Sequence, residues 1–230
     1  MKKIVTLVAL AGLAGAAQAQ TASIKYEVFD GASWVSSVSV LPGASVKVRM
    51  VISWDGQAAG LADALASIRI DGAGANNDSA TITGAGNGRL APFNFGAQNL
   101  ATFTNVPNRL RIDVAGDNTD STGGQISIFQ QAPTSAGTNF SSSKSVVVFA
   151  FNYNLAASNT ALRQLEIYTG NLRSNRVRLY ASTASSGPDV TVTLDAAGAR
   201  GTSGFINVIP TPGSLALLGL AGLTAGRRRR

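Results

Sequence analysis

The chain has 230 residues, of which 45% are hydrophobic, 19 are lysine or arginine and 12 are aspartate or glutamate. It contains no cysteine and no histidine. This composition excludes disulfide cross-links, Ser-His-Asp triads, histidine-based zinc sites and histidine acid–base catalysis. We therefore expect a domain stabilised by a packed core.

Residues 1–19 have the features of a secretory signal peptide. Two lysines follow the first methionine, an apolar stretch comes next, and Ala17 and Ala19 form a small-residue cleavage site before Gln20. The sequence predicts the Sec translocon and signal peptidase as partners, and a mature chain that lies outside the cytoplasm.

Residues 20–197 are predicted to form one extracellular all-β domain. The clearest strand has apolar residues at 46, 48, 50 and 52, with Lys47, Arg49 and Ser53 on the opposite face. Many short strands separated by Gly, Asn, Ser or Thr predict an antiparallel β-sandwich or jelly roll. The other candidate strands are 24–28, 34–40, 68–70, 79–83, 110–114, 125–130, 145–154, 162–168, 177–180 and 190–194.

Three segments of this region have further interpretations. Residues 60–67, Gly-Leu-Ala-Asp-Ala-Leu-Ala-Ser, are a helical candidate that could equally lead into the strand ending at Ile70. Residues 42–52, Pro-Gly-Ala-Ser-Val-Lys-Val-Arg-Met-Val-Ile, resemble an early strand of cohesin-like and other Ig-type surface domains. Residues 198–208, rich in Gly and Ser, are expected to be a linker.

Several motifs resemble catalytic signatures, but each has a simpler interpretation. Ser141-Ser-Ser-Lys144 matches Ser-x-x-Lys, yet it precedes a strand rather than opening a helix. The glycine-rich residues 84–88 lack the Lys-Ser/Thr ending of a phosphate loop. Glu27 and Glu166 each occupy an alternating strand, where a solvent-facing acid is expected. No catalytic residue is predicted.

Two candidate binding features remain in the domain. One loop contains oxygen ligands of the kind that calcium prefers, although their spacing is not that of an EF-hand and Asx-rich turns are common. Its residues are Asp113, Asp117, Asn118 and Asp120. Five aromatic residues would form a sugar-stacking platform if they shared one face, whereas core or edge packing is the ordinary alternative. They are Trp34, Trp54, Tyr153, Tyr168 and Tyr180.

Residues 209–230 have three successive parts. The motif Pro210-Thr211-Pro212-Gly213 cannot continue a helix or a sheet ladder, so the chain is expected to be extended there. A Leu/Ala/Gly run follows and predicts one short transmembrane helix. Arg227, Arg228, Arg229 and Arg230 would stay on the cytoplasmic side.

This layout resembles the PEP-CTERM sorting signal of Gram-negative bacteria, which is the substrate tail of membrane proteases called exosortases. The family motif is Pro-Glu-Pro, and Thr211 replaces the glutamate here. An uncleaved anchor is the alternative. A helix over 212–226 would rise only about 22 Å, against a hydrocarbon core of roughly 30 Å, which favours a transient signal.

The positive charge lies mainly in these two end segments. Without Lys2, Lys3 and the four terminal arginines, 13 basic residues face 12 acidic ones. Nucleic acid is therefore not a predicted partner. Arg173, Arg176 and Arg178 are interpreted as part of a solvated strand face.

These features predict a non-enzymatic exported protein of the cell surface or extracellular matrix, with a structural or adhesive role. The resemblance implies an exosortase-type protease as a partner, transient anchoring in the inner membrane and an association with exopolysaccharide. One alternative is a carbohydrate-binding module for that exopolysaccharide. Another is a hydrolase that uses no histidine, which would require converging carboxylates in a cleft.

Overall fold

The computed structural model describes residues 20–66, 68–82, 88–95, 101–114, 126–167, 175–194 and 203–209. Strands dominate these ranges, which confirms the all-β prediction, and the one α-helix within them, α1, is Pro133–Ala136. Short 3-10 helices cover Ala75–Asn77 and Gly137–Asn139. The strands are β1 (Ala22–Phe29), β2 (Trp34–Val35), β3 (Ser37–Val40), β4 (Ser45–Trp54), β5 (Gly60–Ala66), β6 (Ile68–Asp71), β7 (Ser79–Ile82), β8 (Ala101–Val106), β9 (Arg109–Val114), β10 (Ile126–Phe129), β11 (Ser145–Asn154), β12 (Arg163–Ile167), β13 (Arg176–Tyr180), β14 (Val190–Thr193) and β15 (Gly204–Val208).

The first sheet has the strand order β2-β1-β4-β11-β7. Buried and more exposed side chains alternate along its strands β1 and β4. In β4 the side chains of Val46 and Val48 are buried while Lys47 is exposed, as the sequence predicts. The central strands pair in register, with Val48 of β4 opposite Phe151 of β11. One face of this sheet is therefore apolar and the other polar.

Two further sheets complete the fold, with strand orders β10-β5-β13-β14 and β3-β15-β12-β6-β9-β8. The described pairs are antiparallel except for β15 with β3, which is parallel. Ile24 of the first sheet, Leu61 of the second and Ile206 of the third belong to one hydrophobic cluster. Sheets that share a core across their inner faces have the layering of a β-sandwich.

The helical candidate at 60–67 is wrong for the residues described there, because Gly60–Ala66 form strand β5. This strand lies between β10 and β13, so its backbone groups bond to neighbours on both sides. All seven of its residues are buried. A strand covered on both faces loses the polar alternation that marks other strands in the sequence.

The expected linker at 198–208 also requires correction at its carboxyl end. Gly204–Val208 form β15, which pairs with β3 on one side and with β12 on the other. The Ile209 amide extends this pairing by donating to the Val40 carbonyl at 2.8 Å. The folded domain therefore reaches the residue that precedes Pro210.

A buried charged cluster includes the first residue of β12, and the sequence analysis did not predict it. Arg163 and Asp78 have fully buried side chains, and Arg163 Nε donates to Asp78 Oδ2 at 2.6 Å. The Tyr153 hydroxyl donates to the same oxygen, and the Ala156 amide donates to Oδ1 at 2.8 Å. Burial and the bond to Asp78 raise the pKa of Tyr153. The cluster fixes the connection between β7 and the β11–β12 loop.

Candidate functional site

A cleft of about 600 Å³ opens over the sheet formed by β10, β5 and β13. Phe129, Asp63 and Arg178 occupy successive strands at one level, because Phe129 pairs with Asp63 and Asp63 pairs with Arg178. The pairing of the strands thus places one aromatic and two charged side chains in a single row.

The two charged groups in this row neutralise each other. Arg178 donates to both oxygens of Asp63, from Nε at 2.8 Å and from Nη2 at 2.6 Å. The hydrogen bonds to Asp63 raise the pKa of Arg178. A bidentate pair of this kind orients both groups and directs their charges at each other rather than into the cleft.

A glutamine side chain fixes the wall of the cleft. Gln130 Nε2 donates to the Leu61 carbonyl at 2.8 Å, and the Ser141 amide donates to Gln130 Oε1 at 2.6 Å. The Tyr180 hydroxyl donates to the Gln130 carbonyl at 2.9 Å. Desolvation by burial raises the pKa of Tyr180. These bonds hold β5, β10, β13 and the segment before β11 together.

The rim of the cleft carries two exposed phenylalanines. Phe95 and Phe129 are 50% and 37% exposed. Their backbones are joined, because the Phe95 amide donates to the Phe129 carbonyl at 3.1 Å. Gln131 and Ser135 add amide and hydroxyl groups to the lining. An apolar rim around oriented polar groups is a general arrangement for binding a ligand.

Three of the five aromatic residues proposed as a platform are buried, so that platform does not exist as predicted. Trp54, Tyr153 and Tyr180 are buried in the core or beneath the cleft. Tyr168 lies outside the described residues. Trp34 is half-buried. The sequence analysis did not single out the exposed aromatic residues of the cleft, Phe95 and Phe129, because no local pattern shows that these two distant residues meet.

Trp34 belongs to a small aromatic and basic group on the outer face of the first sheet. Its ring lies 5.3 Å from that of Phe29. Arg49 lies 4.4 Å above the Trp34 ring and Lys47 lies 5.5 Å above the Phe29 ring. Such contacts stabilise a cation over an aromatic face, so the two rings are partly covered by the protein itself.

The Ser-x-x-Lys segment has no catalytic geometry. Residues 141–144 form a loop that leads into β11, as predicted. Lys144 Nζ contacts the Gly56 carbonyl, and the Ser141 amide binds Gln130. The serine and the lysine therefore have separate partners.

The two glutamates do not face each other across the cleft. Desolvation would raise the pKa of Glu27, but hydrogen bonds from Lys25 and Arg49 outweigh it and lower the pKa. Glu166 pairs with Arg69 on the neighbouring strand. These contacts hold both carboxylates on the strand faces.

The remaining candidates divide between described and undescribed residues. Arg176 and Arg178 are half-buried on one face of β13, with Val177 and Leu179 buried on the other, as predicted for a solvated face. The side chain of Asp113 is not described. Residues 84–87, Arg173 and the other three calcium candidates, Asp117, Asn118 and Asp120, lie outside the described ranges. Within those ranges no three acidic side chains are grouped as a metal site.

Both sorting segments also lie outside the described residues. Ala17 and Ala19 precede them, and residues 210–230, with the motif and the four arginines, follow them. Among the helices of the described ranges, none has the length and apolar character to cross a membrane.

Comparison with known proteins gives structural similarities only. The chain matches no protein-family profile, and no curated protein matches it. It is similar to the seventh ScaB type I cohesin from Pseudobacteroides cellulosolvens, at 10% identity over 83% of this chain and 94% of that chain, with a TM-score of 0.44. It is also similar to the Coh-OlpA-Doc918 complex, a type I cohesin–dockerin complex from Clostridium thermocellum, at 8% identity over 82% of this chain and 99% of that chain, with a TM-score of 0.43.

A third similar structure is a non-cellulosomal cohesin from the archaeon Archaeoglobus fulgidus, at 10% identity over 85% of this chain and 96% of that chain, with a TM-score of 0.35. These structural neighbours are cohesin modules, the kind of surface domain that residues 42–52 resemble. Similarity at this level defines neither a ligand nor a partner for this chain.

Proposed function

We propose that this chain is an exported, non-enzymatic binding protein of the cell surface or extracellular matrix, with a structural or adhesive role. The cleft over β10, β5 and β13 carries this proposal. Hydrogen bonds of Gln130 fix its wall, it has an exposed apolar rim, and the charged groups Asp63 and Arg178 at its floor are bound to each other. An apolar rim around polar groups that are already bonded within the chain is an arrangement that supports recognition of a ligand.

The described carboxylates argue against the hydrolase alternative. Glu27, Asp63, Asp71, Asp78 and Glu166 pair with arginines. The other three, Asp30, Asp55 and Asp189, bind backbone amides. A glycosidase requires one carboxyl group of raised pKa to donate a proton. Hydrogen bonds instead lower the pKa of Asp30, Asp55 and Asp189.

The end segments supply the proposed route of delivery. The Sec translocon exports the chain, and signal peptidase cuts between Ala19 and Gln20. The 209–230 segment then holds the protein transiently in the inner membrane, with Arg227–Arg230 inside. An exosortase-type protease cuts near the Pro210–Gly213 motif and releases the domain to the surface or matrix.

The intact mass of protein recovered from the cell surface tests this route. We expect a chain that begins at or near Gln20 and ends near Gly213. Replacing Pro210 and Pro212 by alanine should leave uncleaved protein in the inner membrane, because the segment is no longer held extended. Pro107→Ala, in the turn between β8 and β9, is the matched control and should be processed normally.

Two results would defeat the sorting hypothesis. One is surface protein that retains Arg230, and the other is normal processing of the Pro210→Ala, Pro212→Ala variant. Both would support a plain anchor, and neither would change the assignment of the exported β-domain.

Exopolysaccharide is a second candidate, as the ligand of the cleft. The exposed rings of Phe95 and Phe129 beside Gln131 favour it, because sugars stack on aromatic faces and accept amide hydrogen bonds. We expect Phe95→Ala and Phe129→Ala together to reduce retention of the protein by exopolysaccharide from its own cells by about tenfold, equivalent to roughly 1.4 kcal/mol.

Affinity electrophoresis or calorimetry with that polysaccharide measures this effect. Phe29→Ala is the matched control, since it removes a half-buried phenylalanine from the outer face of the first sheet. Equal retention of the wild-type protein and the double variant would exclude the cleft as the sugar site. The matrix-binding proposal would then require a protein ligand.

A further inference from the structure

Three exposed large hydrophobic side chains lie at the end of the domain where the tail begins. Leu41, Leu162 and Ile209 are 51%, 48% and 47% exposed. Large apolar side chains are scattered singly on most protein surfaces, whereas a group of them marks a contact surface. The positions of these three residues in the sheet decide which case applies.

The strand register places the three side chains on one face. Val40 of β3 pairs with Val208 of β15, and Ile209 continues this parallel pairing, so Ile209 lies beside Leu41. Arg163, the first residue of β12, pairs with Ile206. Continued by one residue beyond the strand, this register would put Leu162 opposite Asn207 and diagonal to Ile209. Diagonal neighbours on a sheet face are close enough for long side chains to meet. We call Leu41, Leu162 and Ile209 the apolar end.

The loops around the apolar end contain no charged residue. They are 41–44, Leu-Pro-Gly-Ala, and 155–162, Leu-Ala-Ala-Ser-Asn-Thr-Ala-Leu. The loops are adjacent, because the Leu155 amide donates to the Ala44 carbonyl at 3.0 Å and a Cβ at Gly43 would lie 3.7 Å from Ala157. Contact with an apolar phase here would bury no charge from these loops.

The number of residues between Ile209 and the apolar run limits the distance between the apolar end and a run that is inserted in the membrane. Six residue steps separate Ile209 from Leu215, the first residue of the apolar run. A fully extended chain covers at most about 3.6 Å per residue, or roughly 21 Å here. The polar interfacial layer of a bilayer is only about 5–8 Å thick on each side. A tail in the membrane therefore holds the apolar end within about one domain radius of the hydrocarbon.

We propose that the apolar end rests on the lipid bilayer while the tail is inserted, with Leu41, Leu162 and Ile209 in the interfacial layer. This inference rests on the proposed function, since it requires the tail to enter the membrane. Side chains of this kind enter the boundary between headgroups and acyl chains when a surface element lies on a membrane. The contact would orient the domain and keep the adjoining Pro210–Gly213 motif at the membrane surface.

Site-specific fluorescence on the full-length chain in phospholipid nanodiscs tests the inference. The chain has no cysteine, so Leu41→Cys and Leu162→Cys each give one site for an environment-sensitive dye. Ser36→Cys is the matched control. Ser36 is exposed, and its carbonyl accepts the Phe205 amide at the other end of the β3–β15 pair. It lies about 16 Å from Leu41 along the strand. Leu217→Cys reports entry of the tail.

Quenchers attached to the lipid should reduce the emission at positions 41 and 162 several-fold more than at position 36, and the emission at 41 and 162 should shift to the blue. Quenching at 217 with equal, weak quenching at 41, 162 and 36 would overturn the inference and leave the proposed function intact. No quenching at 217 would contradict both. Dyes at positions 41 and 162 could instead be exposed to water in nanodiscs and protected in native membranes. That result would overturn the lipid contact and indicate that the apolar end binds a membrane protein.

Discussion

Replacing Asp78 by alanine should lower the free energy of unfolding by about 3–5 kcal/mol, the usual cost of breaking a buried ion pair. The change leaves the Arg163 guanidinium fully buried without its carboxylate. It also removes the acceptor of the Tyr153 hydroxyl and of the Ala156 amide. Chemical denaturation monitored by circular dichroism measures the loss.

Asp55→Ala is the matched control for this experiment. Asp55 is exposed and accepts hydrogen bonds from the Thr21 amide and hydroxyl, so its loss should lower the free energy of unfolding much less than the loss of Asp78 does. Replacing both charged residues, as in Asp78→Leu with Arg163→Met, should restore much of the stability lost in Asp78→Ala, because no buried charge then remains unpaired. Equal costs for Asp78→Ala and Asp55→Ala would show that the buried pair contributes no more than an exposed contact.

Phe151→Ala should also cost about 3–5 kcal/mol, as large-to-small changes in a core do. Phe151 is fully buried in β11, between β4 and β7, and its ring lies 5.9 Å from that of Phe149. The removed ring leaves a cavity that two paired neighbouring strands cannot close. The measurement is the midpoint of urea unfolding at constant slope.

Phe129→Ala provides the comparison for the core variant. Its side chain is 37% exposed at the cleft rim, so we expect a loss below about 1.5 kcal/mol. A cost as large as that of Phe151→Ala would contradict the exposed rim and would also weaken any binding result obtained with this variant.

Strands with one solvated face could be predicted from the sequence, and they were. In β1, β4, β11 and β13 buried and half-exposed residues alternate over much of their length. That alternation is the physical consequence of placing every second side chain in the core. The sequence analysis located β1, β4 and β13 by this alternation, and it named β11 as a candidate strand.

The sequence analysis missed strands in which burial or composition hides the alternation of apolar and polar residues. Strand β5 is buried on both faces and is built from Leu, Ala and Asp, which have no strand preference. Strand β15 follows a glycine- and serine-rich stretch, and each of its residues that pairs with β3 lies 168 positions after its partner in the chain. Strand β8 was not expected either. Pairing partners of this kind are not visible in any local window.

The cleft could not be predicted because its parts come from four distant segments. Asp63, Arg178 and Phe129 are brought together by pairing between β5, β13 and β10. The acid in β5 could have been noted, since a charged residue inside an apolar segment requires a partner. Nothing in the sequence identifies that partner as Arg178.

The position of β15 has a mechanical consequence. This last strand lies between β3 and β12, and its pairing with β3 continues to Ile209, the last described residue. Tension applied through the tail acts along the strand, so the hydrogen bonds on both of its sides bear the load together, whereas a pull across the sheet would open them one by one. A domain pulled at its carboxyl end along β15 would therefore resist unravelling from that end more than one pulled across the strand.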